Sequence, residues 1–218
     1  MRPNDDLRSD VSDELYWDPK VDNASIAVAA DDGRITLRGT VGSLREKREA
    51  KAAAERVWGV VAVDNQLQVR PLSGKAREDA DIRADVLQAM MLDSLVPSTI
   101  DAKVYEGYVT LTGKANWQYQ RDEAERVASN IVGTLDVFDE VELVAPAPEA
   151  DDVAHGIKKA FERNAKLDAE ELEVDTASDG KVTLRGTVSS WAEHDQAIAA
   201  AWAAPGVKNV DDKMDVVY

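Results

Sequence analysis

The 218-residue chain contains no cysteine, which excludes a disulfide scaffold, a zinc ribbon, a thiol nucleophile and an iron–sulfur cluster. Histidine is nearly missing too, with only His155 and His194. The two occupy non-equivalent helical positions, whereas a metal centre needs three or four converging ligands, and neither an H-E-x-x-H pair nor a calcium loop occurs. Both are expected to be solvent-exposed helix residues, with no metal and no cofactor. No G-x-S-x-G elbow supports a Ser-His-Asp arrangement, and no nucleophile or base recurs, so no catalytic residue and no enzyme is expected.

Positive charge is also short: 26 Lys and Arg face 42 Asp and Glu, for a net charge of −16. Nucleic-acid binding is driven by clustered Lys and Arg on phosphate, so no nucleic-acid partner is expected. No run of about 18 apolar residues exists to form a transmembrane segment. The first residues lack the basic start and apolar stretch of roughly 7–15 residues that a secretory signal needs. The expected location is cytoplasmic, or periplasmic if a leader has been removed. With 44% hydrophobic and 31% charged residues the chain is globular rather than disordered.

What is present is repetition. The segments GRITLRGTV (33–41), GYVTLTGKA (107–115) and GKVTLRGTV (180–188) share one frame, their first glycines 74 and then 73 residues apart. Gly33 and Gly39, Gly107 and Gly113, and Gly180 and Gly186 are each followed, 20 residues after the second, by Gly59, Gly133 and Gly206. Such constant register over the whole chain marks a repeat architecture.

Each copy opens with residues spaced every fourth position: Leu7, Val11, Leu15; Ile82, Val86, Met90; Val153, Ile157, Phe161. That is one buried helical stripe. A short strand and an Asp-Gly or Glu-Gly turn follow, then a second strand alternating apolar residues with Thr. The hairpin loop of copy two reads as the shorter. A second helix is expected at about 43–57, 116–131 and 189–204, stopped by the third glycine. Its inward face carries Ala50, Ala53, Ala54 and Val57; Ala124, Val127, Ala128 and Ile131; Ala197, Ala200, Ala201 and Ala204. A last strand runs from Val63, Val137 and Val210.

The fold class expected is therefore α+β: three tandem α-β-β-α-β units, each a three-stranded mixed sheet packed on two helices. Their bounds read as 1–72, 76–145 and 149–218, with a turn-rich joint at 71–76 and a proline-rich one at 145–150.

The pattern Gly-x-(Val/Ile)-Thr-Leu-x-Gly, an Ala-rich helix, then Gly-Val-x-x-Val before a last strand resembles the BON domain, and all three copies match it. Copy two departs most, with Gly133-Thr-Leu-Asp-Val. The resemblance implies a non-enzymatic module of bacterial stress and envelope proteins, in contact with phospholipid or protein, and it brings no catalytic residue. One branch of the family senses potassium.

Residue by residue, three features stand out. Acidic pairs recur at Asp5–Asp6, Asp31–Asp32, Asp151–Asp152 and Asp211–Asp212. They read as helix starts and a hairpin turn, or alternatively as loops binding potassium or calcium in a cation sensor. Charge is also uneven: residues 1–72 are net −2, whereas 73–146 and 147–218 are each −7. The surplus base of copy one lies on its second helix, where Arg45, Arg48, Lys51 and Arg56 fall outward at 100° per residue. Glu46, Glu49 and Glu55 can pair with them, so a salt-bridged face and a patch for an anionic phospholipid or acidic protein partner both stand. Finally, the frame marks Trp17 and Trp202 as outward, for packing between repeats or against a partner.

Overall fold

The computed structural model describes residues 2–70, 77–144, 150–164 and 172–218; the expected joints at 71–76 and 145–149 lie outside the described residues. Repeat 1 comprises α1 (Asn4–Trp17), β1 (Ile26–Asp31), β2 (Arg34–Val41), α2 (Leu44–Glu55) and β3 (Ala62–Val69). Repeat 2 comprises α3 (Asp79–Leu92), β4 (Ile100–Tyr105), β5 (Tyr108–Ala115), α4 (Gln118–Ser129) and β6 (Asp136–Leu143). Repeat 3 comprises α5 (Ala150–Arg163), β7 (Leu172–Thr176), β8 (Lys181–Val188), α6 (Trp191–Trp202) and β9 (Asn209–Val216). The α-β-β-α-β order is the one expected, three times over.

Each repeat has a three-stranded sheet with its second strand in the middle. In repeats 1 and 3 the hairpin pairs antiparallel and the last strand returns parallel to the central one, because a helical crossover carries the chain back to the same end. The chain forms two compact units, residues 1–113 with 123–140, and residues 114–122 with 141–218.

The stripe on each opening helix is buried, and so are Ile35 and Leu37 beneath it in β2. Ala50, Ala53 and Ala54 of α2 are fully buried as well; with only a methyl group between them, helix and sheet approach closely. Ile131, Ala200 and Ala204 are half-buried rather than core: Ile131 and Ala204 lie past the ends of α4 and α6, and Ala200 lines a groove beside Gly156. Helices α2 and α6 start on a capping box: Ser43 Oγ accepts from Glu46 N, and the Glu46 carboxylate accepts from Gly42 N at 2.7 Å. Ser190 and Glu193 repeat this, and in α4 Gln120 Oε1 serves the N–H groups of Asn116 and Trp117.

Loop lengths differ from the expectation. Copies one and two both have two-residue turns, Asp32–Gly33 and Glu106–Gly107, with both residues of each at positive φ. Ile26 pairs with Gly39 just as Ile100 pairs with Gly113, so the first strands are longer than the apolar triplets suggested and the apparent shortening in copy two vanishes. The longer loop is copy three's, residues 177–180.

The histidine expectation also divides. His155 is exposed, but His194 is 9% exposed. Its ring sits edge-on to Trp191 and its Nε2 lies 2.7 Å from Asp212 Oδ2. The reason is positional: counting back from the third glycine, His194 stands where copy one has Lys47, and Asp212 stands where copy one has Asn65 on the last strand. In copy one that seam is closed by Asn65 Nδ2 donating to Lys47 O at 2.7 Å.

The seam between the two helices of a repeat is built in two ways. In repeat 1, Arg2 pairs with Asp10 and donates to Trp58 O at 2.9 Å; in repeat 2, Arg77 pairs with Asp85 at 2.6 Å and donates to Val132 O at 2.9 Å. In repeat 3 the position of Asp10 and Asp85 is Gly156. With Ala160, Ala200, Ala203, Ala204 and Pro205 it lines an apolar groove of about 350 Å³.

Candidate functional site

Helix α2 carries the basic residues that the sequence singled out, and the fold gives them different partners. Arg56 caps the C-terminal end of α2, where the chain turns towards α1. Its Nε donates to Glu14 Oε1 and its Nη2 to Asp18 Oδ2, each at 2.8 Å. The Asp18 side chain is only 6% exposed. Arg56 is therefore a clasp between the two helices of repeat 1.

The clasp has a pH signature. The Lys20 backbone N–H first, and then the Arg56 hydrogen bond, hold the Asp18 carboxyl below its ordinary 3.8, against the opposing effect of burial. A carboxylate with a lowered folded pKa contributes stability that is complete above its unfolded value and disappears as pH falls through the folded one. Asp18→Asn is accordingly expected to destabilise the protein near neutral pH by about 2 kcal/mol, the worth of a charge-assisted hydrogen bond. The gap between wild type and variant in urea melts should close as the pH is taken well below 3.8. A gap that persists unchanged in acid would show that the charge of Asp18 is not what matters.

Lys51 pairs along the helix with Glu55 at 3.3 Å. Arg48 instead reaches out of its own repeat: its Nη1 donates to Ser129 Oγ at 3.0 Å and lies 3.5 Å from Glu125 Oε1, both on α4. Arg45 makes no hydrogen bond among the described residues, its nearest carboxylate oxygen being Glu49 Oε1 at 4.0 Å. Arg45 and Arg48 line a cavity of about 270 Å³ together with Glu49, Arg126, Ser129 and Asn130. All six residues belong to the first compact unit.

The structure thus separates the expected patch. Arg45 and Arg48 stay together, Lys51 is tied along its own helix, and Arg56 serves the α1 clasp. Arg126 was not among the sequence candidates. It corresponds to Ala52 and Ala199 in the other repeats, and that departure from the frame was its one visible signal.

The tryptophans separate as well. Trp17 is 78% exposed and stacks edge-on with Tyr16, itself 65% exposed. The equivalent pair at the end of α3, Met91 and Leu92, is also exposed. Trp202 is half-buried and packs against the core of its own repeat.

Of the acidic pairs, Asp5 and Asp6 lie in the first turn of α1. Asp32 N donates to Asn4 Oδ1 in the hairpin, Asp211 pairs with Lys181 at 3.0 Å, and Asp212 faces His194. The side chains of Asp151 and Asp152 lie outside the described residues. Among the described residues no three His, Cys, Asp or Glu side chains converge as a metal set, and no helix is long and apolar enough to cross a membrane.

The BON domain profile matches residues 3–71, 78–145 and 150–218. The chain belongs to the BON domain family. Osmotically-inducible protein Y of Escherichia coli K12 is 34% identical over 123 residues, covering 54% of this chain and 61% of that protein. The chain thus spans about three fifths of the length of this curated relative. Among solved structures, CdsD, a structural protein of the type III secretion system of Chlamydia trachomatis, aligns at TM-score 0.27 and 14% identity, covering 97% of this chain and 92% of that one. The PrgH periplasmic domain aligns at 0.24 and 10% identity, covering 88% and 95%. In the BON frame of this chain, the two α2 arginines of the cavity are particular to repeat 1. Positions 45 and 48 become Tyr119 and Asp122 in repeat 2, and Ala192 and Asp195 in repeat 3.

Proposed function

We propose that this protein is a non-catalytic, osmotic-stress-associated binding protein whose BON repeats dock on a lipid or protein surface. The observation that carries this reading is the apolar pair closing the first helix in two of the three repeats, Tyr16–Trp17 and Met91–Leu92. Trp17 and Met91 are each 78% exposed, and Leu92 is 75% exposed. Large apolar side chains left together in water mark interaction sites, and Trp and Tyr suit a boundary where one end of the ring is wet and the other dry. Repeat 3 has Glu162 and Arg163 at these places, so the docking role falls to repeats 1 and 2. The family and the osmotically inducible relative support the association with stress.

Lipid is the occupant to test first. The full chain is expected to co-sediment with phosphatidylglycerol-containing vesicles. The double variant Tyr16→Ala/Trp17→Ala should weaken that binding about tenfold or more, the equivalent of leaving one large side chain unburied. Equal binding by wild type and variant would remove the aromatic pair from this role.

A further inference from the structure

We propose that the cavity between α2 and α4 is a binding site for a small phosphate-class oxyanion, held by Arg45, Arg48 and Arg126. The first reason is charge. In a chain carrying −16, three guanidinium groups line one cavity and only one carboxylate, that of Glu49, lines it with them. Glu49 is shared with Lys20, whose Nζ lies 2.9 Å from Glu49 Oε2. The remaining carboxylates near the arginines do not line the cavity: Glu125 pairs with Arg48 at 3.5 Å, and Glu123 and Asp93 pair with Arg126, the latter at 3.6 Å. These partners hold the arginines in place.

The second reason is donor geometry. A guanidinium presents a rigid fork of N–H groups that matches phosphate oxygens, and it stays charged at any physiological pH. Arg45 has its whole fork unused. Arg48 has spent Nη1 on Ser129 and Glu125, and Arg126 has spent Nε and Nη2 on Glu123. The amide of Asn130 lines the same wall, and its side chain has no hydrogen-bond partner among the described residues. Ser129 is already committed, accepting from Arg48 and donating to Glu125 O at 2.6 Å, so it positions Arg48 rather than the anion.

The third reason is size. At about 30 Å³ per water molecule, a cavity of about 270 Å³ holds a tetrahedral oxyanion and several waters. It does not need to be dry to be selective for two negative charges. Because Arg45 and Arg48 come from repeat 1 and Arg126 from repeat 2, the bound anion would tie the two repeats together. This inference uses none of the residues of the aromatic pair and stands apart from the docking role.

Titration calorimetry of the full chain with inorganic phosphate, against chloride at matched ionic strength, tests it. Saturable binding is expected, with a rise in melting temperature as phosphate increases. Arg45→Gln is the informative variant, because Arg45 is 62% exposed and unbonded and its loss leaves the fold intact. It should weaken phosphate binding about tenfold, the equivalent of one charge-assisted hydrogen bond. Arg8→Gln removes the same charge from the surface of α1 and should leave the affinity unchanged. Phosphate that shows no saturation, or an affinity that both variants lower equally, would overturn the site. Vesicles containing phosphatidic acid identify the source of the anion. If they displace free phosphate, the site accepts a headgroup; if they do not, it takes the soluble ion. Trp17→Ala should keep full phosphate affinity, so the docking reading and this one fail separately.

Discussion

Replacing Gly39 with alanine is expected to abolish the native fold of repeat 1. Gly39 lies in β2 opposite Ile26, with φ at +135°, a region that side-chain-bearing residues rarely adopt. A Cβ there would stand 1.9 Å from Ser25 O and 3.0 Å from Ser25 C. Both obstacles are backbone, so no rotamer change relieves them, and β1 must leave its register. Gly113 meets the same obstacle, its Cβ falling 2.1 Å from Thr99 O. The cost should exceed about 4 kcal/mol, the exceptional end of single substitutions. A stretch of about 70 residues contributes only about 4–10 kcal/mol. Amide exchange resolved by residue should show protection lost across β1 and β2. Retention of wild-type protection there would mean that the strand can shift at little cost.

Phe161→Ala carries the second-largest expected effect. Phe161 is the bulkiest of the fully buried side chains and is 1% exposed, in a cluster with Val153, Ile157, Leu172, Val182 and Leu184. Its counterparts Leu15 and Met90 share this work in repeats with arginine pairs across the helix seam. In repeat 3 the neighbouring seam positions are Gly156 and Ala160, which bury little. Truncation should cost about 3–5 kcal/mol, since transfer and cavity terms add and the alanine-lined seam has little bulk with which to fill the void. Trp202 packs against the same cluster, so tryptophan fluorescence in a urea melt should report the loss as an earlier transition. A shift of less than about 1 kcal/mol would mean that repeat 3 repacks around the hole.

These positions also show how far residues along the chain foretell the fold. Gly39 was visible because three glycines recur in one register, and Phe161 because it closes a stripe of every fourth residue. Both are signals of local period. The role of Arg56 was not visible. A helical wheel places it outward, yet it stands just past the end of α2, where the turn of the chain delivers it to Asp18, 38 positions away. The cavity escaped for the same reason at greater range. Arg48 and Ser129 are 81 positions apart, and nothing in the period of either helix says which faces meet. His194 was within reach, since its frame equivalent Lys47 meets Asn65 of the last strand at the position where His194 meets Asp212.

The two constructions of the helix seam answer differently to a concentrated solution. Dissolved salt shortens the reach of exposed charge, with a screening length of about 10 Å at 0.1 M and about 3 Å at 1 M. The half-exposed Arg2–Asp10 and Arg77–Asp85 pairs loosen along that scale. The seam of Gly156, Ala160 and Ala204 carries no such ion pair among the described residues, though Arg163 lines it too, and excluded solutes that accumulate in a shrinking cell press apolar surfaces together more firmly. Rising salt then weakens the ion pairs that hold α1 and α3, the helices that carry Trp17 and Leu92, and leaves the apolar seam of α5 unscreened. In this way a single scaffold copied three times holds helix seams of unequal salt dependence.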